Sequence, residues 1–231
     1  MTVRLEILPQ PTDSTCGPTC LHAVYRYWGD ERSLDSLIKQ VRVAETGGTL
    51  AVWLACHALA NGFRATIYSY NVTVFDPTWH ELTSAGLVER LRAQHATATS
   101  QRVRAASEAY IEFLGLGGEV RFAELDPGLL ERLLAEGHPI LTGLSATYLY
   151  QCAREREDGE EDDIGGAPVG HFVVLSEHRS NPDEIQIADP LHDNPRFRSP
   201  YYWVDVRRLI NAILLGIVTY DANLLILEPR E

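Results

Sequence analysis

The chain has 231 residues, 45% of them hydrophobic, enough for one large domain or two small ones with a sizeable core. A formal net charge of -12, with no basic run to offset it, excludes nucleic acid as the main partner, because phosphate binding needs a basic surface. No apolar run approaches the roughly 20 residues of a membrane span, and the opening MTVRLEILPQPTD lacks the apolar core and small-residue site of a signal peptide.

In chain order, VRLEIL (3–8) reads as a short strand. A helical pattern begins at Cys16 and stops at Gly29. SLDSLIKQV (33–41) opens on a serine cap and is helical, as is GTLAVWLACHALANGF (48–63), which closes at Asn61-Gly62. RATIYSYNVTVF (64–75) is rich in β-formers. Two polar helices follow within 76–116. VRFAEL (120–125) reads as a strand, PGLLERLLAEG (127–137) as a helix opening on proline, and PILTGLSATYLY (139–150) as a strand. GHFVVLSEH and EIQIAD are two more strands. VDVRRLINAILLG is helical, with LINAILLGIV (209–218) a buried helix too short to cross a membrane, and NLLILEP a closing strand. Helices first and strands later predict an α+β fold, N-terminal helices on a mostly antiparallel sheet. The expected organisation is one domain over 1–231 with a helical insertion at about 76–116.

QPTDSTCGPTC (10–20) places a cysteine at a helix mouth. Pro18 fits the first turn, where its missing N–H costs nothing, so Cys16 stands at the helix start. Free N–H groups and the positive end of the dipole favour an anion there, which lowers a thiol pKa. Gly17 is expected to leave the sulfur open to a substrate. Cys20 lies one turn deeper and reads as packing. A Cys16–Cys20 disulfide is the competing reading, although i, i+4 positions on a helix seldom give good bridging angles.

A thiol nucleophile needs a base. His171 opens the apolar run HFVVL, and the turn-rich HRSNPD joins that run to EIQIADP, so the two read as a hairpin. The pattern proposes a register in which opposed residues have indices summing to 360: His171 with Asp189, Val173 with Ile187, Leu175 with Ile185. All these side chains then share one face, with His171 and Asp189 together at the open end. A slip by one residue would send Asp189 to the other face. Thiol, base and orienting acid form a complete nucleophilic set.

These three segments, in this order, resemble the bacteriocin-leader-processing peptidases, papain-like cysteine proteases that cut after a double glycine and often precede an export transporter. The family pattern is a glutamine six residues before the nucleophilic cysteine, a later histidine opening a strand, and an aspartate just before proline. The likeness frames roughly residues 8–70 and 137–216. It implies a papain-like fold with Cys16 as nucleophile and His171 as general base and then acid. Asp189 would orient the ring, and Gln10 would donate to the oxyanion beside the Cys16 backbone N–H. No transporter follows in this sequence, so a free-standing enzyme is expected. Residues 76–116 have no counterpart in the compact pattern, and Thr15 stands where an acidic residue is frequent in the leader peptidases.

The expected activity is therefore hydrolysis of an amide bond through an acyl-enzyme thioester, on a peptide or small amide substrate. Transfer of the same acyl group to an amine, or a peptide-binding module that does not cut, are the alternatives. No metal or organic cofactor is implied. Cys16, Cys20, Cys56 and Cys152 are few for a disulfide framework and are not spaced as paired CxxC knuckles, which fits a reducing cytoplasm. REREDGEEDD (154–163) carries a net charge of -5 and reads as a solvated loop, or as a lid attracting cationic substrates. GLSAT (143–147) lacks the second glycine of a serine nucleophile elbow. GGTLAVW (47–53) is either a loop leading into a helix or a lining of the cleft.

Overall fold

The structure is a computed structural model that describes residues 5–44, 48–219 and 222–230. In chain order it contains α1 (Cys16–Tyr27), α2 (Leu34–Gln40), α3 (Ala51–Ala60), β1 (Phe63–Ser69), α4 (Ser84–Thr97) and α5 (Gln101–Gly115). Then come β2 (Glu119–Arg121), α6 (Pro127–Ala135), β3 (Ile140–Ser145), α7 (Ala146–Tyr150), β4 (Gly170–Ser180), β5 (Asp183–Ala188), β6 (Tyr201–Asp205), α8 (Val206–Leu215) and β7 (Asn223–Pro229). Among the described residues the strands form one sheet in the order β2-β1-β7-β3-β4-β5-β6. Only β1–β2 is parallel. The class is α+β with a mostly antiparallel sheet, as expected.

The sheet is covered on both faces, and its central strands therefore read as unbroken apolar runs rather than as alternation. Phe172 and Val174 of β4 pack into a core with helices α1 to α5, while Val173 and Leu175 pack into a second core with α6, α7 and α8. The sequence reading foresaw only the first of these layers.

Helix ends follow local chemistry. Ser33 accepts from the Ser36 N–H to cap α2, and Asp126 caps α6 ahead of its proline. Five expectations need correction. Leu5 to Leu8 form no strand, although Leu5 and Ile7 are buried and the Ile7 N–H donates to the Tyr201 hydroxyl at 3.0 Å; residues 3 and 4 lie outside the described residues. The strand near 120 stops at Arg121, because Phe122 turns inward against Phe75. The predicted strand 139–150 breaks at Ser145, whose hydroxyl accepts from the Tyr148 N–H and starts α7. α8 is buried on one face only: Leu209, Ala212 and Ile213 are enclosed, and Leu214 and Leu215 are exposed. YYWVD, which was not read as a strand, is β6, the edge of the sheet beyond β5.

The β4–β5 register also differs. Near the site Leu175 faces Ile187 and Val174 faces Ala188, two residues away from the proposed pairing. Nearer the turn His178 faces Ile185, and the shift falls between Leu175 and Glu177. Ser176 is the extra residue, its hydroxyl bonded to the Gln186 side chain at 3.1 Å. The slip at the site end is even, so His171 keeps the face of Asp189, as a diagonal neighbour rather than an opposed one.

Candidate active site

Cys16 is the first residue of α1. Thr15 precedes it, but its hydroxyl is committed to the turn before the helix: it donates to the Thr12 carbonyl at 2.8 Å and accepts the Thr12 N–H at 3.0 Å. It makes no capping bond to α1, so that side chain claims none of the first-turn N–H groups beside the sulfur. Gly17 has a different task from the one expected. A Cβ on it would stand 2.4 Å from Thr49 Cγ2 and 3.3 Å from the Phe172 ring, so its bareness seats α1 against β4 and the segment leading into α3.

His171, at the start of β4, donates through Nε2 to Asp189 Oδ1 at 2.8 Å. Its ring also stands beside the Cys16 thiol, and with Nε2 occupied the nitrogen left for the sulfur is Nδ1. Asp189 is fully buried just past the end of β5. Its Oδ1 takes a second bond from the Leu191 N–H at 2.9 Å. Its Oδ2 accepts from the Tyr150 hydroxyl at 2.7 Å and from the Tyr202 hydroxyl. The carboxylate thus has four donors, two on each oxygen.

The electrostatics are those of a coupled ion pair. Burial works against a charged His171, but the charge and hydrogen bond of Asp189, with the thiol, outweigh it and push the imidazole up to about 10. Burial would raise the Cys16 thiol; the hydrogen bond and charge of His171 outweigh that and lower it below its usual 9.0. Asp189, despite its burial, is held below its usual value by His171 and the two tyrosine hydroxyls. Cys20 is the opposite case. It is fully enclosed, its S–H donates to the Phe172 carbonyl at 3.2 Å, and burial with the nearby Cys16 and Asp189 charges pushes it far up. All four cysteines are free.

Gln10 is joined to the site through its backbone. Its N–H donates to the Pro190 carbonyl at 2.9 Å, which ties the segment before Cys16 to the loop carrying Asp189. Its side-chain Oε1 is buried without a hydrogen-bond partner, and Gln10 is not among the residues lining the cleft.

Cys16 and His171 open onto a cleft of about 560 Å³. Gly48, Thr49, Leu50 and Trp53 line it, so the segment around GGTLAVW is cleft wall; Gly47 itself lies outside the described residues. Arg102, Ala105 and Ala106 of α5 line it too, which brings the 76–116 helices to the site. The acidic run is no free loop. Arg154 donates to the carbonyls of Asp163 and Ile164 at 2.6 and 2.9 Å, and the Asp162 carboxylate accepts from the N–H groups of Ile164 and Gly165. Gly166 lets the chain fold back, since a Cβ there would stand 2.5 Å from the Asp162 carbonyl oxygen. Ala167 and Pro168, just beyond, line the cleft.

No protein-family model matches the chain, and no curated protein matches it. Solved structures do. One, described as a C39-like peptidase from Bacillus anthracis, superposes with a TM-score of 0.51 at 14% identity, over 99% of this chain and 96% of that one. The fold is that of the C39 peptidases. The peptidase domain of Streptococcus ComA, a bifunctional ABC transporter of a quorum-sensing pathway, is also found, at TM-score 0.47 and 14% identity, over 98% of this chain and 100% of that one. Within this fold Cys16, His171 and Asp189 lie side by side, and two further groups join them. Tyr150 was hidden inside a predicted strand, and Tyr202 in a strand that was not foreseen. Neither has a local signal, because each is defined by what it touches across the fold.

Proposed function

We propose that this chain is a cysteine peptidase in which Cys16, His171 and Asp189 carry the chemistry. The observation that supports this most is the placement of His171 beside a lowered thiol at a helix mouth while its ring donates to a buried carboxylate at 2.8 Å. The Cys16 thiolate attacks the carbonyl carbon of the amide, and the developing oxyanion is met by the Cys16 N–H, with the Gln10 side-chain amide as second donor once it turns from its buried position toward the cleft. The imidazolium of His171 gives its proton to the departing amine as the C–N bond breaks, leaving a thioester. His171, now neutral, takes a proton from water; the hydroxide attacks the thioester, and the acid leaves with the thiolate restored. Asp189 holds the ring in place and stabilises its charged form. Residues 76–116 are an insertion into a single domain, and they supply one wall of the cleft.

The test is a peptide-library screen of the wild type against Cys16→Ala. Peptides cut by the first and left whole by the second support the reading. Equal cutting by both, or no labelling of Cys16 by a thiol-reactive peptide probe in preference to Cys20, Cys56 and Cys152, would sink it.

A further inference from the structure

We propose that Tyr150 and Tyr202 are positioning residues, a pair of buried hydroxyls that keep Asp189 ionised and hold its Oδ1 on His171. The inference rests on the peptidase reading for its consequence in catalysis, but not for its test.

The two hydroxyls reach Asp189 Oδ2 from different elements, Tyr150 from the last turn of α7 and Tyr202 from β6. The two rings have different neighbours. Tyr202 is stacked on Phe197 at 3.8 Å, and Tyr150 lies tilted against the His171 ring at 6.2 Å. A carboxylate with no exposure needs its lone pairs filled, and a single histidine fills one. With Oδ2 saturated by the tyrosines, the carboxylate has one orientation, and that orientation presents Oδ1 to His171 and the Leu191 N–H. The titratable groups facing Asp189 are His171 from β4, Tyr150 from α7, Tyr202 from β6 and Cys20 from α1, with Cys16 beyond His171. Both tyrosines hold their protons more tightly than usual, through burial first and then the Asp189 charge, so they stay donors.

The consequence has a definite sign. The hydroxyls stabilise Asp189 only while it is ionised. Removing one raises the proton affinity of the Asp189–His171 pair and lets part of the proton rest on the carboxylate, where it cannot serve a leaving amine.

The experiment is an NMR titration of the His171 imidazole nitrogens in the wild type, Tyr150→Phe, Tyr202→Phe and the double variant, repeated in Asp189→Asn. The expected result is a rise in the His171 midpoint of roughly half a pH unit to one unit in either single variant, more in the double, and none in the Asp189→Asn background. In peptide hydrolysis kcat falls while KM holds. A midpoint that stays put or moves down, with only the melting temperature lowered, overturns the proposal and leaves the tyrosines as packing. The two single variants stand on different elements, so one that fails to fold leaves the other decisive. If the wild type cuts no amide, the peptidase reading fails and the titration still decides this one.

Discussion

The β4–β5 hairpin carries a histidine–aspartate pair at each end. At the open end His171 meets Asp189 at 2.8 Å, and near the turn His178 meets Asp183 at 2.9 Å. Residue types, atoms and distances are almost the same. What differs is the setting. The first pair is enclosed, with two tyrosines and an N–H completing the carboxylate and a thiol on the ring's other nitrogen. In the second, the Asp183 side chain is 48% exposed, and water competes for every bond it makes. A histidine on a carboxylate is therefore not a site. Burial, a filled set of donors and a neighbouring thiol set the first pair apart.

The largest expected difference between the two ends is in catalysis. His171→Ala should lower kcat/KM for a peptide substrate by roughly a thousandfold, the scale of a lost general base, while His178→Ala stays within about twofold. An appreciable loss in His178→Ala would break the comparison. Stability comes next. Asp189→Ala should cost about 3 kcal/mol in urea unfolding, because it leaves His171, two buried hydroxyls and the Leu191 N–H without their acceptor, whereas Asp183→Ala should cost about 0.5 kcal/mol or less.

The pH dependence sharpens the same contrast. His171 is raised from 6.5 to about 10, so its contribution is full below 6.5 and is lost as pH climbs through 10. Asp189 is lowered from 3.8, so its contribution is full above 3.8 and is lost as pH falls through the lower folded value. A melting-temperature series should fall on both flanks, and Asp189→Asn should flatten both, while Asp183→Asn leaves them in place. The smallest effect is in the thiols. Iodoacetamide at neutral pH should label Cys16 at least about tenfold faster than Cys56, whose thiol burial pushes up to about 12.

The reading of the hairpin also shows where sequence stops being informative. HFVVL and EIQIAD announce two strands, but His171 and Asp189 share a face only because the extra residue at Ser176 turns an odd register into an even one. The register was three residues out on the turn side, because the hairpin turns on Asn181-Pro182, and the extra residue at Ser176 brings it to two at the site end; that residue has no signature, since a serine in a strand reads the same paired or bulged. Pro18 announces the helix start at Cys16 because a first-turn proline forfeits no hydrogen bond, and that signal is local. The cover of α6, α7 and α8, the part played by α5 in the cleft, and the hydroxyls of Tyr150 and Tyr202 depend on contacts between distant segments. No periodicity within a window records those contacts.

The Gln10–Pro190 bond and the His171 contact with Cys16 share a consequence for the time before the fold is complete. Cys16 is made 155 residues ahead of its base. On the growing chain its sulfur is an ordinary thiol, because everything that lowers its pKa beyond the helix mouth arrives with β4 and the loop after β5. The lowered thiol thus forms late, once the sheet has closed around it, and a chain caught half-made carries a Cys16 without its histidine.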